Sequence, residues 1–108
     1  MIVAIPVLEV DGEEYVAPHL RFSRRIVLYE VDSGGFRNLD SFTISVKEDS
    51  KEMLEHLVQH SVDLVVVYEA DEELSSALAE RGVRVYKSRC IRVSEVLKNL
   101  KVGNSLNP

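Results

Sequence analysis

Two runs of β-branched residues constrain this chain more than anything else in it. "MIVAIPV" opens the chain, and "VDLVVVY" runs from Val62 to Tyr68, apolar throughout except at Asp63. Side chains of a strand alternate between two faces, so a run without polar alternation needs cover on both faces. Short runs of this kind are the mark of strands at the centre of an α/β sheet. The chain is therefore expected to place both runs side by side, with helices above and below.

The remaining segments supply those parts. Asp11-Gly12 punctuates the chain after the first run. Arg25 to Val31 reads as a second strand, Asp32 to Gly35 as a hairpin turn, and Phe36 to Val46 as a third strand. Period two puts Phe42, Ile44 and Val46 on one face of it. The pattern then turns helical. Asp49-x-x-Glu52 is a capping box, and Met53, Leu54, Leu57 and Val58 make an apolar stripe. Asp71 to Glu80 is a second helix, with Leu74, Ala77 and Leu78 inward and Gly82 as its terminating glycine. "VRVY" from Val83 is a fifth strand, and Val93 to Leu100 a third helix. The predicted order is β-β-β-α-β-α-β-α. It makes a mixed five-stranded α/β sheet flanked by helices, with the first three strands antiparallel and the last two parallel to the first. The first strand should lie between the second and the fourth, with the fifth beyond the fourth.

Length and charge narrow the function. A chain of 108 residues is expected to form one domain, here residues 1–102, with 103–108 as a short flexible tail. Its net charge of -5 argues against a protein that coats nucleic acid. No apolar run approaches the roughly 18 residues that span a bilayer, and the opening segment lacks a basic leader and reads as a strand. Cys90 is the single cysteine, which excludes an internal disulfide and fits a reducing, cytoplasmic setting.

The residues that carry chemistry fall in four stretches of the chain. "VAPHLRFSRRIVLYEV" brings His19 together with Arg21, Arg24 and Arg25. Such arginines hold anions with fixed forks, or they pair with carboxylates, for which Glu69, Asp71 and Glu72 are candidates. Both segments should lie beyond the C-terminal ends of the parallel strands, where open α/β sheets bind ligands. Arg89, Cys90 and Arg92 should join them; a cysteine between arginines is either a thiolate ligand or a buried apolar residue. His56 and His60 have the i, i+4 spacing of a helical metal pair, without a third ligand nearby.

"MIVAIPV", "VAPHLRFSRRIVLYEV", "HSVDLVVVY" and "RGVRVYKS" together resemble the small dinitrogenase iron–molybdenum cofactor biosynthesis domains. Those domains open with a strand ending in proline, followed by a Ser-x-His-Phe-Gly-Arg loop leading into a strand ending Tyr-Asp-Val. Later they carry a Gly-Val-Asp-Val-Val strand and a Gly-Gly-x-Gly loop. The resemblance covers nearly the whole chain and implies a ribonuclease H-like fold. It also implies a role in carrying iron–sulfur or iron–molybdenum cofactor precursors, with His19, at the place of the family's loop histidine, as a metal ligand. Cys90, set between arginines, is the expected second ligand. Arg21, Arg24 and Arg89 would join those two in holding the anionic cluster. Two departures stand out. Leu20, Arg21 and Phe22 replace the Phe-Gly-Arg after the histidine, and Tyr68, Glu69, Ala70, Asp71, Glu72 and Glu73 replace the glycine loop. Backbone N–H groups of a glycine loop at a helix start hold anions; acidic side chains there occupy the place an anionic cluster needs.

Enzyme chemistry finds little support in the residues. A ribonuclease H-like nuclease needs carboxylates gathered around two divalent ions, and Ile2 to Val7 has none. No nucleophile elbow, phosphate loop or paired-cysteine motif is present. The expectation is a non-enzymatic domain of one of two kinds. One is a carrier or scaffold for a metallocluster precursor. The other is an interaction or regulatory domain that keeps the fold, has lost the cluster, and meets a partner protein.

Overall fold

The computed structural model describes residues 1–18, 25–43, 50–69, 72–89 and 91–101. Strands are β1 (Ile2–Val10), β2 (Glu13–Val16), β3 (Arg25–Asp32), β4 (Gly35–Thr43), β5 (Leu64–Val67) and β6 (Arg84–Lys87). Helices are α1 (Ser50–Gln59), α2 (Glu72–Glu80) and α3 (Val93–Lys101). The sheet runs β4-β3-β1-β5-β6, with β2 paired to β1 off that path. Pairings of β1 with β2 and β3, and of β3 with β4, are antiparallel; β5 is parallel to both β1 and β6. The expected neighbours of the first strand are therefore the observed ones. Among the described residues the sheet has six strands rather than the expected five.

The added strand is β2. Asp11 and Gly12 both have positive φ, 52° and 81°, the backbone of a tight hairpin turn that Asp-Gly supplies readily. Four residues with one fully buried member, Val16, leave too little alternation to mark a strand in the sequence.

Pro6 marks where β1 changes partner. Proline is rare in central strands because it lacks a ladder donor. Val3 and Ala4 pair with β5, whereas Val7 to Val10 pair with β2. The Pro6 C=O accepts from Ala17 N–H at 2.9 Å. N and C=O of one strand residue point to the same side, so the missing donor falls at the gap between β5 and β2. β1 remains paired with β3 across the proline, through Pro6↔Ile26.

The sheet separates two cores. Ala4, Ile26, Leu28, Val65 and Val67 face Met53, Leu54 and Leu57 of α1 and Leu74 and Leu78 of α2. Val3, Ile5, Val27, Leu64 and Val66 face Val93, Val96, Leu97 and Leu100 of α3. This explains the unbroken apolarity of β1 and β5. Val58 departs from its expected place in the α1 stripe and is exposed; it lies one residue past Leu57, a turn of about 100° that carries it to the rim of the stripe. Phe42 is half-buried against the α1/α2 core, while Ile44 and Val46 lie outside the described residues.

Helices α1 and α2 end in the same motif. Ser61 N–H donates to Val58 C=O and Val62 N–H to Leu57 C=O, at 3.0 and 3.2 Å. Gly82 N–H donates to Ala79 C=O and Val83 N–H to Leu78 C=O, at 3.0 and 2.9 Å. Both are Schellman closures with a left-handed residue at the turn, Ser61 at φ 56° and Gly82 at φ 77°. A left-handed L-residue costs about 1–2 kcal/mol, offset in part by the entropy of a glycine. Ser61→Gly should therefore stabilise the domain by about 0.5–1 kcal/mol, and Gly82→Ala should destabilise it by about 1 kcal/mol. Urea midpoints moving in opposite directions would bear this out; equal shifts would count against it.

Candidate functional site at the C-terminal edge of the parallel strands

One edge of the sheet collects the chemistry. β5 and β6 run parallel to β1, so Val67 and Lys87 end on the side where Val7 meets Arg25. β4 also ends there, with Thr43 opposite Arg25. Each helix follows a strand that ends at this edge, so α1, α2 and α3 all begin there and turn their positive dipole ends toward it.

Arg89 stands at this edge after β6 and is exposed. Its carbonyl accepts from Ile91 N–H at 2.8 Å and from the Ser88 hydroxyl at 3.1 Å. Ile91 is held in turn, because its carbonyl accepts from Val16 N–H at 3.0 Å and Arg92 bridges Tyr15. The residues on either side of position 90 are thus tied into the β1–β2 hairpin. His19, Arg21, Arg24, Asp71 and Cys90 lie outside the described residues. Their described neighbours, Pro18 and Arg25, Glu69 and Glu72, and Arg89 and Ile91, belong to chain ends that meet this edge.

Two arginines expected at this edge pair with carboxylates other than the Glu69, Asp71 and Glu72 proposed for Arg25. Arg25 donates to Glu14 Oε2 at 2.7 Å, and Arg92 lies 3.0 Å from Glu13 Oε2. Both carboxylates come from β2, the strand that sequence reasoning passed over. A hydrogen bond with Tyr15, then the charge of Glu13, favours the protonated form of Arg92. Glu13, Glu14 and Arg92 line a cleft of about 370 Å³ between β2 and the start of α3, together with Tyr29 and Phe36. The two rings meet edge to face, with centroids 6.4 Å apart. The "DG" turn was the available signal for Glu13 and Glu14, since it predicts a hairpin that returns them toward β1.

Burial, then the charge of Glu14, pushes the Tyr29 phenol above its ordinary value of 10.0, against a hydrogen bond with Asn38 and the charge of Arg25. The native state therefore holds this proton more tightly than the unfolded chain. The stability it supports is complete below about pH 10 and lost as pH rises from there through the native value. The wild type should lose stability between pH 9 and 11 more steeply than Tyr29→Phe, measured by urea unfolding at each pH. Equal slopes would exclude this proton as the cause.

His56 and His60 belong to packing. Both rings stack with Phe42, at centroid distances of 5.5 and 4.9 Å, and His60 Nδ1 lies 2.7 Å from the His56 carbonyl. Among the described residues no three His, Cys, Asp or Glu side chains gather as a metal site.

Geometry of this kind admits many functions, and comparison with known proteins narrows it. The family model described as "Dinitrogenase iron-molybdenum cofactor" matches residues 1–103. The chain belongs to that family. Three solved structures of similar fold support the architecture. The crystal structure of PH0822 has a TM-score of 0.83 at 23% identity, over 95% of this chain and 90% of that one. An NMR structure of a Thermotoga protein, provisionally named NifB and placed in the DUF35 family, has a TM-score of 0.69 at 20% identity over 94% and 88%. A crystal structure from Methanocaldococcus jannaschii, provisionally named a dinitrogenase, has a TM-score of 0.69 at 16% identity over 95% and 89%. No curated protein matches. No helix among the described residues is long and apolar enough to cross a membrane.

Proposed function

We propose that this family member is a small non-enzymatic carrier or scaffold for an iron–sulfur or iron–molybdenum cofactor precursor. The cluster is its cargo, held at the C-terminal edge of the parallel strands. His19 and Cys90 supply imidazole and thiolate ligands, and Arg21, Arg24 and Arg89 balance the charge of an anionic cluster. The observation that carries this reading is the family match across residues 1–103. Convergence of the flanking chain ends and three helix starts on one edge supports it.

The acidic segment after β5 favours the second reading, a domain of the same fold that meets a partner protein and has lost the cluster. Glu69, Asp71, Glu72 and Glu73 stand where family members carry glycines. Anaerobic reconstitution with iron and sulfide separates the two. The carrier reading expects a bound visible chromophore with stoichiometric iron, lost in His19→Ala and in Cys90→Ala. A wild type that takes up no cluster leaves the interaction reading. In that case the double substitution Glu69→Gly, Asp71→Gly should raise cluster affinity, by a margin that shrinks with added salt.

A further inference from the structure

β4 ends the sheet, and among the described residues no strand pairs with its outer side. Phe36 to Ser41 are all exposed along it. Its register against β3 tells which backbone groups look outward. Asp32↔Gly35 closes a two-residue turn and is a hydrogen-bonded pair, and antiparallel pairs alternate from there. Glu30↔Arg37 is the next bonded pair, so the N–H and C=O of Phe36 and Asn38 point away from β3. Asn38 is opposite Tyr29 and Asp40 opposite Leu28, which leaves Leu39 as the extra residue of a bulge. Past the bulge Ser41 points outward, and its N–H is capped by Asp40 Oδ1 at 2.8 Å. The bulge has a second effect. Residues three apart on a strand normally face opposite ways, but Arg37 and Asp40 sit opposite Glu30 and Leu28, two apart on β3, and so share one face.

We propose that β4 is a self-pairing edge, and that two copies of this chain join antiparallel across a two-fold axis at Asn38. In that register Asn38 meets Asn38, and Phe36 meets Ser41 of the other copy, each pair exchanging outward backbone hydrogen bonds. Arg37 then falls opposite Asp40 twice, once on each side of the axis, on one face and in the closer, non-bonded type of pair. Moving the axis one step sets Arg37 against Arg37 or Asp40 against Asp40, which like-charge repulsion disfavours. The pairing releases Asp40 from its local cap, because the Ser41 N–H gains the Phe36 carbonyl of the other copy. Arg37 gives up only a long, exposed contact with Glu30, 3.4 Å. The contact is one strand wide, so association is weak and concentration-dependent.

Charge reversal tests the register. In sedimentation velocity the wild type should shift toward dimer as concentration rises. Arg37→Asp and Asp40→Arg should each stay monomeric alone. An equimolar mixture of the two should dimerise, because the reversed charges complement each other across the mixed pair. A wild type that stays monomeric at the highest attainable concentration overturns the proposal. So does a dimer indifferent to both reversals, or a mixture that stays monomeric. Amide exchange gives a readout on the unaltered chain. N–H exchange at Phe36, Asn38 and Ser41 should slow as concentration rises, and exchange that is independent of concentration refutes the pairing.

Discussion

A chain carrying both Leu57→Ala and Leu97→Ala should be at the limit of folding in plain buffer, although each single variant folds. Leu57 is 0% exposed in the α1/α2 core and Leu97 is 2% exposed in the α3 core. Each truncation removes a buried leucine and leaves a cavity, at about 2–5 kcal/mol. A domain of this size has about 5–15 kcal/mol to lose. The two residues belong to separate clusters on opposite faces of the sheet, so their effects should add. Urea unfolding followed by circular dichroism measures all three variants. A double variant no less stable than the weaker single one would mean that the two cores yield together.

Proline at Val66 should be as damaging as proline at position 6 is harmless. Val66 is fully buried, and β5 is flanked by β1 and β6. The substitution removes a ladder donor and leaves a buried acceptor unpaired, at about 1–3 kcal/mol. The ring also has no room between two paired neighbours. Pro6 sits instead where β1 passes from β5 to β2, so Pro6→Ala should change stability by no more than about 1 kcal/mol. Thermal unfolding of the two variants checks the contrast, and a Val66→Pro chain that melts near the wild type would show that β5 tolerates a broken ladder.

The sequence was most legible where burial is greatest. Leu64 to Val67 had to be central because nothing in that stretch is polar on either face, and it is buried throughout. The turns at Asp32 to Gly35 and at Gly82 were readable because they use glycine chemistry. Ser61 does the same work as Gly82 without announcing it, since its left-handed backbone is imposed by the closure of α1. β2 was missed because four residues with one buried side chain carry almost no periodic signal. That omission propagated to the site. Arg25 was offered the acidic segment after β5 as its carboxylate partner, and Arg92 was offered none, because Glu13 and Glu14 had no strand to bring them near. Charge partners are set by strand order, which local pattern does not encode.

The place of β1 at the centre of the sheet also orders events in time. Its partner β3 begins within about two dozen residues and closes a short loop, so β1, β3 and β4 can zip together as soon as the first 43 residues exist. The other neighbour, β5, arrives only after some sixty residues, and its pairing is parallel and non-local. Until then β1 has one flank bare, with Val3 and Ala4 unpaired on the side β5 will take. The last two-fifths of the chain, from β5 onward, therefore acts as a lock on an earlier meander. A nascent or truncated chain ending before Leu64 presents an apolar strand edge, the kind that invites aggregation or a chaperone.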